Sequence, residues 1–342
     1  MLVHVQILRF LAAAAVAAFH TWGVAPQFIV VPETASSFGL AHAGHGVDLF
    51  FVISGFIIFY ASRRADLTPA DFLRRRVERI VPLYFFVNFV VVTLAIAFPA
   101  MFGAEDWGTA RHIFKSLAFV AFSDGTMPVV YVGWSLEYEM YFYLIVALLM
   151  TVAGRQAWRA VVVMFSAFTV VGRLPGVADV LGNYTFFTDP LLMEFVLGVL
   201  IGCVFVNGRV GYVEFVAGAC AFATLLLTDP TNRAIVYGLP SGVLVAAAAW
   251  FSAWRSNPSS AEALLERLGD ASYSIYLAQV NTISLAAALV ARLVPDIAPL
   301  ALVAIVTTVV VLLGLLLNIA VERPLLKMCR GVGAPRLRNA PA

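Results

Sequence analysis

The stretch Gly44-His45-Gly46-Val47-Asp48-Leu49-Phe50-Phe51-Val52-Ile53-Ser54-Gly55-Phe56-Ile57-Ile58-Phe59-Tyr60-Ala61 decides the fold. At 1.5 Å per helical residue it covers about 27 Å, close to the ~30 Å hydrocarbon core of a bilayer. Its charged residue, Asp48, sits near one end. Working outward, nine further apolar runs fall at about 5–22, 80–102, 134–153, 158–174, 187–206, 211–228, 235–254, 271–293 and 299–321. Residues 112–122 are apolar but too short to cross, and are expected to be interfacial or re-entrant.

Composition agrees with these runs. Hydrophobic residues make up 62% of the 342 and charged residues only 12%, against roughly 25% charged in soluble domains. A mean hydropathy of +0.92 would force a soluble chain of this size to expose a largely apolar surface. The weak alternation of a membrane β-barrel is absent. The expected fold is an all-α integral membrane protein, a bundle of about ten transmembrane helices. Residues 1–330 form the transmembrane domain and 331–342 a short cytoplasmic tail. The run from Leu8 to Phe19 has Arg9 inside it and no positive residue before it, so a retained first helix is expected rather than a cleaved signal.

Lysine and arginine set the orientation. With both termini cytoplasmic, sixteen basic residues fall on inner loops and the tail. The outer side then holds five: Arg111, Lys115, Arg173, Arg233 and Arg292. That is a positive-inside distribution. Cys203, Cys220 and Cys329 lack metal-ligand spacing, so no metal is expected. No nucleic-acid motif is present either.

Charges inside spans are costly and mark cavities by default. Arg9 and His20, eleven residues apart, return to one helical face roughly 16 Å apart along the axis. Asp48 lies at about the depth of His20, where a carboxylate could orient the imidazole as a general base. Trp134-Ser135-Leu136-Glu137-Tyr138-Glu139 opens another inward-running span, and its two glutamates cannot share a face. On the inner side Arg75, Arg76 and Arg79 fall three or four apart at a helix start, an arrangement suited to phosphate. Glu194 lies mid-span and is a candidate for the acceptor site. His42 and His45 are read as facing water. An inner anion site and an outer histidine–carboxylate cluster suit a phosphate-bearing donor from inside and an acceptor from outside. A transporter or flippase for a lipid-linked saccharide fits the same pattern, as does a scaffold for polysaccharide synthesis.

Six segments resemble the acyltransferase-3 family of membrane acyltransferases. They are Arg9 to His20, Gly46–Phe56, Arg75-Arg76-Val77-Glu78-Arg79-Ile80-Val81-Pro82, Trp134-Ser135-Leu136 with Glu139, Ser272-Tyr273-Ser274-Ile275-Tyr276-Leu277, and Glu322-Arg323-Pro324. They occur in the family's order across nearly the whole chain, and the chain is most similar in character to bacterial exopolysaccharide acetylases. The resemblance implies a multi-pass protein of the bacterial inner membrane that moves an acyl group, usually acetyl, from cytoplasmic acyl-CoA to a carbohydrate. The acetyl-CoA is a co-substrate, with the bilayer and the carbohydrate acceptor as the other partners. Homo-oligomerisation and polysaccharide-synthesis partners stay open.

Carried over residue by residue, the resemblance places the essential histidine and arginine at His20 and Arg9. CoA binding falls on Arg75, Arg76 and Arg79, and the glutamate after Trp-Ser-Leu is Glu139. Asp48 joins the catalytic set, and Trp134, Glu194 and Tyr276 are candidate substrate contacts. Two departures stand out. Gln279 occupies a position where many members carry histidine. The hydrolase-like domain that some members append is not expected here.

Overall fold

The computed structural model describes residues 2–32, 39–62, 67–98, 109–255 and 257–333. Arg63, Arg64, Arg336, Arg338 and most of the expected tail lie outside them. Among the described residues the chain is helical without strands. The long helices are α1 (Val3–Val24), α2 (Gly46–Ser62), α3 (Pro69–Ala97), α5 (Trp134–Ala153), α6 (Ala157–Gly172), α7 (Leu192–Asn207), α8 (Tyr212–Thr228), α9 (Leu239–Trp254), α11 (Ser272–Leu293) and α12 (Pro299–Leu317). Shorter helices are α4 (Ala110–Leu117), α10 (Ser260–Asp270) and α13 (Arg323–Gly333), the last running past residue 330.

The long helices lie along the expected runs, but length and apolarity alone qualify fewer of them as crossings. Seven stretches are long and apolar enough, one of them the 42-residue Tyr131–Gly172 that contains α5 and α6. An eighth arises if Ser272–Val280 and Thr282–Leu293, which meet at 65° within α11, count as one. The helix α8 is apolar but short. Residues 112–122 form no crossing; α4 ends at Leu117.

One boundary moves with consequence. The third span was expected from residue 80, with the arginines at its start. Instead Thr68 caps the helix, its hydroxyl accepting from the Asp71 amide, and Pro69 takes the first position. These are strong start signals. Arg75, Arg76 and Arg79 therefore sit in the second and third turns, beyond the free N–H groups of the first turn. Any anion they bind is held by side chains, without the helix terminus.

Close packing runs through glycine. A Cβ on Gly55 would strike the Phe195 carbonyl and one on Gly198 the Val52 carbonyl, so α2 and α7 meet backbone to backbone. Without water to drive burial, such small-residue contact is how membrane helices associate.

The Ser272–Leu277 motif ties α11 to its neighbours. Tyr273 donates to the Ile80 carbonyl at 2.9 Å, Tyr276 to the Val132 carbonyl at 3.1 Å, and Ser274 to Glu322. Glu322 also accepts from Asn318 at 2.7 Å, inside a wide π turn, Asn318–Glu322. At the matching end of α1, Gly269 lets α10 approach the Gln6 backbone.

Candidate active site

A narrow cavity opens between α1, α2, α3, α5 and α11. Arg9, Arg76, Arg79, Glu139 and Tyr276 all line it, together with Ser54, Tyr143 and Tyr273. The arginines come from α1 and α3, the glutamate from α5 and the tyrosine from α11. Residues far apart in sequence thus converge as the motifs require.

Glu139 is held in place. It accepts from Ser54 Oγ at 2.9 Å and from the Tyr143 hydroxyl. Glu137 points elsewhere: its carboxylate accepts the backbone amides of Phe122 at 2.9 and 3.0 Å and of Ser123 at 3.2 Å. The two glutamates lie on different faces, one functional candidate and one loop clamp.

The guanidiniums are under-paired. Arg9 donates to Gln6 Oε1 at 3.3 Å, and Gln6 donates in turn to Asp270 at 3.0 Å. Arg76 lies between the Phe72 and Tyr143 rings, 5.6 and 5.7 Å from their centroids, a cation–π arrangement. Its buried Nε has no hydrogen-bond partner among the described residues. Three guanidiniums line the cavity with one carboxylate, which leaves its lining net positive with one unused donor at Arg76 Nε. Arg75 is exposed and does not line the cavity. The structure does not bring it to the other two, because adjacent helical residues point about 100° apart.

A second polar centre lies at the far end of α1 and α2. Asp48, fully buried, receives Arg233 Nε at 2.6 Å and Nη2 at 2.8 Å. His45 Nδ1 lies 3.2 Å from the same carboxylate, and its ring stacks on Tyr237. Arg233 also covers the Trp134 ring at 5.6 Å. Glu194 is fully buried beside Asp48, with Arg233 and Asp189 near.

His20 is elsewhere. Its ring packs edge-on against Phe19 and Tyr131, with centroids 5.1 Å from each, and no described side chain hydrogen-bonds it. Asp48 therefore does not orient His20; a permanent guanidinium outcompetes a neutral imidazole for a buried carboxylate. Nor does His45 simply face water. Gln279 is buried, and its amide donates to the Tyr276 carbonyl at 2.8 Å.

Sequence reasoning missed Arg233, counting it only as an outer charge. A signal was available, since Asp48 buried in a span demands a cation at the same depth.

The family model described as an acyltransferase domain matches residues 3–319. The chain belongs to this acyltransferase family. It is 34% identical over 326 residues to the exopolysaccharide production protein ExoZ of Rhizobium meliloti, covering 89% of this chain and 95% of that one. It is 24% identical over 303 residues to the acyltransferase MdmB of Streptomyces mycarofaciens, covering 79% and 76%. A shorter match, 29% over 126 residues, joins it to the O-acetyltransferase OatA of Staphylococcus aureus, covering 31% of this chain and 20% of that one. No solved structure matches the chain.

Proposed function

We propose that this membrane acyltransferase moves an acyl group, acetyl first, from cytoplasmic acyl-CoA to a sugar hydroxyl of a surface polysaccharide or its lipid-linked precursor. The observation that carries the reading is the convergence of Arg9, Arg76 and Arg79 on one cavity against the single carboxylate of Glu139. Such a set suits the phosphates of CoA. Similarity to an exopolysaccharide production protein over most of both chains supports the acceptor class.

Ten crossings fit this reading. Tyr131–Gly172 crosses twice, the bent α11 once and the short α8 once, which raises the seven qualifying stretches to ten. Both termini then face the cytoplasm of a bacterial inner membrane, as the arginine distribution favours.

In this mechanism the arginines hold the donor phosphates and the pantetheine arm extends along α1. His20 takes the proton from the sugar hydroxyl as its oxygen attacks the thioester carbonyl. The C–S bond breaks and the thiolate recovers the proton. His20 needs no carboxylate partner to act as a neutral base. Arg75 lies outside the donor contacts, and Glu194 and Trp134 support the outer end.

The test is the O-acyl content of surface polysaccharide from a deletion strain complemented with wild type or His20→Ala at matched expression. Acyl groups restored by wild type alone are expected. Missing polysaccharide in the deletion strain, with no dependence on acyl-CoA, would point instead to export of a lipid-linked saccharide.

A further inference from the structure

A second, more open pocket lies outside the cavity that holds the arginines. Its walls are the rings of Phe122, Tyr138 and Phe186, with Asp189 at the base and Thr126 and Thr185 at the rim. It sits at the same end of the bundle as His20. The helix α5 begins beside Tyr131, whose ring meets His20, and its first residue, Trp134, packs on Phe122 and Tyr138 with centroids 5.6 and 6.0 Å away.

The chemistry of the lining is selective. Tyr138 and Phe186, both largely buried, pack on each other with centroids 4.2 Å apart, and with the half-buried Phe122 they make the apolar side of the lining. Asp189 accepts from the Tyr138 hydroxyl and from the Leu191 amide, both at 2.8 Å. No described cation lies within salt-bridge distance of it. A carboxylate offers about four acceptor positions, so two stay available to hydroxyl donors. Arg173 and Arg233 act on the Asp189 carboxylate from beyond salt-bridge distance. A polyol with a C–H face fits both features: rings against the carbons, carboxylate to the hydroxyls.

The walls are also pre-formed. Glu137 clamps the amides of Phe122 and Ser123, and Lys115 pairs with Asp124 on the same loop. Rigid walls lower the ordering cost of binding.

We propose that this vestibule is a saccharide subsite, holding a sugar unit of the acceptor adjacent to the unit that is acylated. His20 does not line it, so the unit held here is not the reacting one. The proposal rests on the acyl-transfer reading for the word acceptor, and its binding claim can be tested separately.

The full chain in nanodiscs would be titrated calorimetrically with de-O-acylated oligosaccharides cut from the host's surface polysaccharide, and with the matching monosaccharides. Wild type should bind the oligosaccharides at least tenfold more tightly than the monosaccharides. Asp189→Asn and Thr185→Trp should each weaken that binding at least tenfold. If Asp189→Asn unfolds, the exposed rim variant Thr185→Trp carries the test, with thermal unfolding as the control. Oligosaccharide binding unchanged in the folded variants, or absent in wild type, would overturn the subsite. Binding lost in the variants while wild type acylates nothing would support the subsite and defeat the acyltransferase reading alone.

Discussion

Arg233 grips Asp48 through two parallel hydrogen bonds, 2.6 and 2.8 Å long, across 185 residues of sequence. The carboxylate is fully buried, with the equally buried Glu194 beside it. Removing the guanidinium would leave the buried Asp48 carboxylate without its cation. Arg233→Ala should therefore cost about 3 kcal/mol, the low end of the range for breaking a buried pair, since the arginine itself is partly open to solvent. Thermal unfolding in detergent would show it. The double variant Asp48→Asn, Arg233→Gln should recover part of the loss; no recovery would mean the two residues do not act as a pair.

Arg76→Gln and Arg79→Gln should each weaken acyl-CoA binding about 10- to 100-fold, the value of one charge-assisted hydrogen bond at about 1.5–3 kcal/mol. Arg75→Gln, on an exposed side chain outside the cavity, should change it by less than about threefold. Direct titration with acetyl-CoA separates the three. Equal losses at all three positions would make the effect one of general surface charge.

His20→Ala should lower transfer about 10²–10⁴-fold, the usual worth of a general base, with the unfolding temperature nearly unchanged. Among the described residues the ring has no hydrogen-bond partner to lose, and it meets Phe19 and Tyr131 edge-on. Single-turnover transfer from labelled acetyl-CoA is the measurement, and a folded variant with full activity would remove His20 from the mechanism.

Glu262 gives a pH dependence outside the membrane spans. The Ser259 amide, then the Ser259 side chain and His4, hold its carboxyl down at about 2 from an ordinary 4.5. A depressed carboxyl stabilises the fold above its unfolded value and loses that contribution as pH falls from about 4.5 toward 2. Glu262→Gln should loosen the contact between α10 and the start of α1 at neutral pH, and the difference from wild type should vanish at low pH. Limited proteolysis near residue 256 across pH would read it.

Most of the helical layout can be read from the chain, because an apolar run of bilayer length has few alternatives to helix. Arg9 is legible as a charge inside a span, Arg76 and Arg79 through their spacing, and Glu139 through the family resemblance. Partner choice was not. Depth alone put Asp48 beside His20, yet pairing depends on how helices rotate about their axes, which residue 233 could reveal only once α2 and α9 were placed. The vestibule around Asp189 escaped notice for a related reason. Its walls come from two loop segments that carry no periodic signal, and Phe122 and Phe186 become a surface only when the Glu137 clamp folds the first loop back. Arg75 parts from Arg76 and Arg79 because neighbouring helical residues point about 100° apart, and the start at Thr68 and Pro69 separates all three from the free N–H groups.

The glycine contact between α2 and α7 bears on how such a protein can move. Ser54, which holds Glu139, and Asp48, which holds Arg233, both ride on α2. Packed on α7 through Gly55 and Gly198, that helix carries one polar centre at its start and the other about 9 Å further along, near its middle. Any motion that leaves the α2–α7 seam intact must be taken up by the helices around it, with Ser54 and Asp48 carried together.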